Sequence, residues 1–167
     1  MGFDLYSINK PKSEKGEYFR NNVWWWRRLA SYVIEKTGVV DEKDAEWWHT
    51  NDNHKVSKEE AEQIAKQLRY LISTGDVDNY AKEVEADIKT ADKHNARVER
   101  LCRKLESIVE RKVGKTDVAP CDYPKHYKKR WDKLYTMKDW SSNYPFTRKN
   151  VEEFIEFCED SNGFTIG

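Results

Sequence analysis

This sequence predicts a predominantly helical α+β fold: a small antiparallel strand pair made from the two ends of the chain, a helical core, and a long charged helix or helical arm in the middle. Three observations carry that expectation. Apolar residues recur at three- and four-residue steps through most of the chain, the helical signature. Strand-like stretches sit at the two ends, "GFDLYSI" and "FTI", and neither Pro nor Gly interrupts the run from Val77 to Val113.

In the opening strand Phe3 and Leu5 fall on one side and Asp4 and Tyr6 on the other. "NKPKSEKGE" follows as a polar loop, with Pro11 and Gly16 as breakers. From about Tyr18 to Lys36, Phe19, Val23, Trp26, Ala30 and Val33 lie on one helix face, and Gly38 ends the helix as a C-terminal cap. "DEKDAEWWH" reads as a short helix carrying Trp47 and Trp48, and "TNDNHKV" as a turn rich in side chains that bond their own backbone. Ser57 with Glu60 makes a capping box, with Val56 and Ala61 as its hydrophobic staple. The helix it starts buries Ala61, Ile64, Ala65, Leu68, Leu71 and Ile72 and closes at Gly75.

Beyond Asp76, Ala91, Val98 and Leu105 alternate with His94, Leu101 and Ile108 at heptad spacing. A continuous helix there would be about 50 Å long, more than a compact domain of this size needs. It either protrudes as an arm over 76–115 and pairs with another chain, or breaks near "DKHN"; the arm is the preferred reading, with residues 84–112 as the surface of a homo-oligomer. Residues 114–145 mix Gly, Pro and scattered aromatics, so an irregular segment is expected with one helix around Pro124 to Met137. Thr147 caps the last helix, which buries Val151, Phe154, Ile155 and Cys158 and ends at Asn162 and Gly163. The core is expected between the first, third and last helices.

At 167 residues the chain is expected to form a single domain, 1–167, without needing disulfides or a structural metal. Charged residues make up 36% and the mean hydropathy is -0.99, yet seven Trp, nine Tyr and six Phe supply a core from few positions. Lys+Arg and Asp+Glu both number 30, so the chain as a whole has no field to draw it to duplex nucleic acid or an anionic membrane, and neither is an expected partner. No apolar run approaches the roughly 20 residues of a membrane span and "MGFDLYSINKPK" is no signal peptide, so a soluble intracellular protein is expected. Cys102, Cys121 and Cys158 are isolated and odd in number, which predicts free thiols.

"GEYFRNNVWWWRRLASYV" sets three tryptophans beside two arginines. On a helix from Tyr18, Arg20, Trp24, Arg27, Arg28 and Ser31 form a stripe away from the apolar face, leaving Trp24 among guanidinium groups. Such a ring stacks on a planar ligand while the arginines take its phosphates. The plainer reading is a surface cation–π contact, or a Trp24 covered by the irregular segment. Trp26 is expected in the core, Trp25 at its border and Trp24 exposed. "HTNDNH" brings His49, Asp52 and His54 together as weak candidates for a metal or for base catalysis, although turn chemistry explains the segment without a metal. His94 reads as an interface histidine, and "HYKKR", His126 to Arg130, as a solvated basic helix face or a polyanion contact. Phosphate-binding loops, dinucleotide fingerprints and nucleophile elbows are absent, so no catalytic residue and no cofactor is assigned.

The opening through "GEYFRNNVWWWRRL", the "NDNHKVS" turn with its following helix, and the ending "YPFTRKNVEEFIEFCEDSNGF" together resemble a family of small proteins encoded by bacteriophages and prophages. The resemblance covers roughly the first 75 and last 25 residues. Members tend to have proline where Arg28 stands, and many carry a cysteine-rich, zinc-knuckle-like insert where this chain has the charged stretch from Asp76 to Lys115. The resemblance implies a phage origin and the host bacterial cytoplasm, and supplies no activity.

The function expected on these grounds is that of a phage anti-defence protein acting by non-catalytic binding, sequestering a nucleotide-derived signal through Arg20, Trp24, Arg27 and Arg28. Three alternatives stand beside it: a protein-directed inhibitor that covers a host defence effector with the charged arm, a metal-dependent nucleotide hydrolase using His49, Asp52 and His54, and, ranked last because the net charge is zero, direct nucleic-acid binding through His126 to Trp131.

Overall fold

The computed structural model describes residues 2–167 and has the expected α+β architecture. Strands β1 (Gly2–Ser7), β2 (Tyr18–Asn22), β3 (His54–Val56) and β4 (Phe164–Ile166) form one antiparallel sheet in the order β2-β1-β4-β3. The helices are α1 (Val23–Thr37), α2 (Glu42–Ala45), α3 (Lys58–Ser73), α4 (Asp76–Val113), α5 (Lys125–Tyr135) and α6 (Arg148–Asp160). They belong to two compact units, Met1–Glu85 with Tyr144–Gly167, and Ala86–Asn143, with α4 contributing to both. No helix among the described residues is long and apolar enough to cross a membrane.

The expected terminal pair is present as β1 against β4, with Leu5 opposite Ile166, and β2 and β3 widen it to four strands. The gain of β2 corrects the reading of Tyr18–Asn22 as helix. Leu5 faces Phe19 and Asp4 faces Arg20 across the ladder, and Asn22 then caps α1 by accepting from the backbone N–H groups of Trp24 and Trp25 at 3.0 and 3.1 Å. Phe19 is buried under either period, which is why apolar spacing alone continued the helix too far. His54 likewise belongs to a strand rather than to the turn before it.

The first unit packs α1, α3 and α6 on the inner face of the sheet, where Phe3, Leu5, Phe164 and Ile166 point. Its centre is aromatic. Trp26 is fully buried, stacks on Trp48 at 5.8 Å and on Phe3 at 5.6 Å, and meets Phe154 edge-on. Its indole Nε1 donates to the Trp48 carbonyl at 2.6 Å, satisfying the one polar atom this ring takes into the core. The expected capping box is complete, with the Glu60 carboxylate accepting from the Ser57 N–H and the Ser57 hydroxyl accepting from the Glu60 N–H. Gly16 is required by close approach: a Cβ there would lie 2.2 Å from the Asp160 carbonyl carbon.

In the second unit α4 runs unbroken through "DKHN". Ala91, Val98, Cys102, Leu105 and Val109 are its buried positions. Leu105 and Val109 pack with Tyr123, and Val118, Tyr127, Trp131 and Leu134 close over them. The Leu105–Val109 end of the apolar stripe expected to pair with another chain is therefore covered by residues 118–134 of the same chain. The expected partners of the heptad, His94, Leu101 and Ile108, lie outside the seam: Leu101 is 44% exposed, and His94 is exposed with its Nε2 2.7 Å from the Met137 carbonyl oxygen. A step of four from Val98 to Cys102 satisfies a near-heptad repeat as well as a step of three does, and only the covering helix chooses between them. All three cysteines are free, Cys102 and Cys158 buried and Cys121 exposed.

Candidate functional site

Helix phase sorts the tryptophan triplet as expected: Trp26 is in the core, Trp25 is half-buried and Trp24 is 40% exposed. The arginine stripe does not lie on one helix. Arg20 stands on β2, outside the helix, and pairs with Asp4 at 3.4 Å. Trp24 meets the Tyr144 ring edge-on at 5.0 Å, and Arg28 Nε donates to the Tyr144 carbonyl at 3.3 Å. Trp24 and Arg28 thus hold down the segment that leads into α6, one of the plainer roles expected for that ring. Arg27 is exposed near His49, whose imidazole is held below its ordinary pKa by burial and then by the Arg27 charge.

His49 closes a 3-10 turn at Trp47–His49, Asp52 is exposed in the following loop and His54 is on β3. Among the described residues no group of three or more His, Cys, Asp or Glu side chains able to hold a metal ion occurs, at this segment or elsewhere.

One of the four candidate ligand-binding residues, Arg20, does enter a concave surface. An open groove of about 380 Å³ lies between the β2–α1 junction and the start of α6, lined by Arg20, Asn21, Asn22, Trp25, Thr147, Lys149, Asn150 and Glu153. Local structure explains why these residues converge. Asn22 is the N-cap of α1, and Thr147 caps α6 by accepting from the Asn150 N–H at 3.3 Å, so two helices of 15 and 13 residues start at the same groove. Each start presents backbone N–H groups and a partial positive charge.

Two cations add to this. Among the described residues Arg20 and Lys149 are held by surface ion pairs alone, to Asp4 at 3.4 Å and to Glu153 at 3.6 Å, and such pairs yield readily to a better partner. Asn21 supplies the most specific signal. It follows Phe19 on the inward face of β2, the residue is nine-tenths buried, and its amide nitrogen Nδ2 has no hydrogen-bond partner among the described residues. A buried donor left so costs about 1–3 kcal/mol.

Arg20 is the only one of these residues that the sequence singled out as ligand-binding. Asn21, Asn22, Trp25, Lys149 and Asn150 were missed because their proximity depends on α6 returning beside β2. The signal available in the chain was the asparagine pair that precedes the tryptophans. Compared with family models, with curated proteins and with solved structures, the chain matches none.

Proposed function

We propose that this protein acts by non-catalytic binding, taking a small anionic nucleotide-derived ligand into the groove between β2 and α6 and so serving a phage as an accessory against a bacterial defence that signals through such molecules. The observation that carries the reading is the buried, unpartnered Asn21 amide beside two converging helix starts. A turn of the Asn21 side chain toward the groove would let a ligand oxygen accept from Nδ2 and remove the desolvation cost, with Arg20, Lys149 and the free N–H groups of α6 taking the phosphate. Trp25 offers a ring for a planar base, and the Glu153 carboxylate offers an acceptor for its exocyclic N–H groups. A ligand carrying both an anion and hydrogen-bond donors fits this mixed lining better than inorganic phosphate does.

The test is native mass spectrometry of the protein purified from a bacterial host with an active nucleotide-signalling defence. A nucleotide-sized adduct is expected on the parent protein and on Trp24→Ala, and is expected to be lost from Arg20→Ala and from Lys149→Ala. A bare mass for the parent, or an adduct that survives both groove substitutions, removes the proposal.

A further inference from the structure

The balanced charge of the chain conceals a division. The Ala86–Asn143 unit holds 15 Lys and Arg against 9 Asp and Glu, a net charge of +6, while the remaining residues carry 15 against 21 and a net charge of -6. Within the basic unit the charge is ordered on α4. Lys93, Arg97, Arg100, Lys104 and Arg111 are separated by steps of four, three, four and seven residues. At about 100° per residue these five stay within about 60° of arc and extend over about 27 Å of helix. They lie about 140° round the helix from the buried seam at Ala91, Val98, Cys102, Leu105 and Val109.

All five are exposed and none makes an ion pair among the described residues. Arg100 and Arg111 donate through Nε to the carbonyls of Ala96 and Ser107, which fixes their stems along the helix. The acids of this part of α4, Asp92, Glu99, Glu106 and Glu110, are gathered on one flank, where Glu99 pairs with Arg103 and with Lys138.

We infer that this outer face of α4 binds the phosphate backbone of double-stranded nucleic acid without reading its sequence. A straight row of cations matches a rigid rod of regularly spaced anions, and the three arginines can each grip a phosphate through paired N–H groups. A protein partner fits less well, since interfaces between proteins are anchored by buried aromatic or aliphatic side chains and the row contains none. Single strands are bound by stacking on aromatic rings, and the row has none of those either. A membrane-surface helix buries its apolar face in lipid, whereas the apolar face of this part of α4 is already buried, its Leu105–Val109 end under residues 118–134. The inference is independent of the groove on the first unit.

The experiment is fluorescence anisotropy of a labelled 24-base-pair DNA duplex of mixed sequence titrated with the full chain between 50 and 200 mM salt. Five phosphate contacts predict an affinity that falls about 500-fold across that range. In R97Q/R100Q/K104Q two contacts remain and the fall shrinks to about tenfold. The double variant R97Q/K104Q falls between them, and R103Q/K112Q, which removes two charges off the row, keeps the parent's salt dependence. Glutamine matches arginine and lysine in helix propensity, so unchanged circular dichroism of these surface variants is the folding control. No duplex binding at 50 mM salt overturns the inference. So does a salt dependence the row variants leave unchanged, or equally tight binding of labelled poly-glutamate or of vesicles containing anionic lipid.

Discussion

In the Met1–Glu85 and Tyr144–Gly167 unit, the core is built by rings arriving from five separate elements, whereas in the Ala86–Asn143 unit it is one face of one helix covered by the next stretch of chain. Phe3, Trp26, Trp48, Phe154 and Phe164 come together from β1, α1, the Trp47–His49 turn, α6 and β4, over sequence separations of more than a hundred residues. Leu105, Val109, Tyr123, Trp131 and Leu134 lie within thirty residues of one another. The contrast explains where a candidate small-molecule site can form. A core assembled from many directions brings unrelated backbone ends together, here two helix starts and a strand end, and leaves a concave junction between them. A seam between neighbouring helices leaves its outer faces convex, suited to an extended partner.

The deepest cut into this contrast is Trp26→Ala. It removes the ring that stacks on two others and strips the Trp48 carbonyl of its donor, so a loss of about 3–5 kcal/mol is expected in chemical denaturation. If the variant loses less than about 1 kcal/mol, the first core is not centred on this residue.

The second core is sharpened by a pair of leucines. Leu105→Ala is expected to cost about 2–4 kcal/mol, because it opens the seam. Leu101→Ala, four residues earlier on an exposed face, is expected to stay within about 0.5 kcal/mol. Comparable losses at both positions would mean that the heptad runs through Leu101 after all and that a second chain covers it.

The smallest expected effect is a pH dependence confined to the first unit. The His49 imidazole is held below its ordinary pKa, chiefly by burial, so the unfolded chain binds a proton there more readily than the folded one. Stability contributed by neutral His49 is full above the ordinary imidazole value of about 6.5 and is lost as the pH falls below it. His49→Gln is expected to flatten the decline in stability between pH 7 and 5, and an unchanged slope would assign that decline to other groups.

The order of the tryptophans shows how much of this was legible in the chain. Burial of Trp26, partial burial of Trp25 and exposure of Trp24 follow from helix phase, because consecutive residues differ by about 100° and the apolar face at Trp26, Ala30 and Val33 fixes which side is inward. Phase said nothing of where the helix began. Reading it from Tyr18 placed Arg20 in line with Trp24 and Arg27, while the chain is extended until Asn22 and Arg20 faces Asp4 across the sheet.

What the sequence determined by itself is therefore local: the capping box at Ser57, the cap at Thr147, the stop at Gly38 and the extended form of its two terminal strands. Each rests on hydrogen bonds or steric limits that close within a few residues or, for the terminal strands, on simple alternation. Tertiary structure alone decided that Tyr18–Asn22 joins the sheet, that the seam of α4 passes through Cys102 rather than Leu101, and that Asn21 lines one groove with Lys149 and Asn150. Those outcomes depend on which distant segment supplies the missing hydrogen bond or the covering side chain, and a segment's own spacing carries no record of its partner.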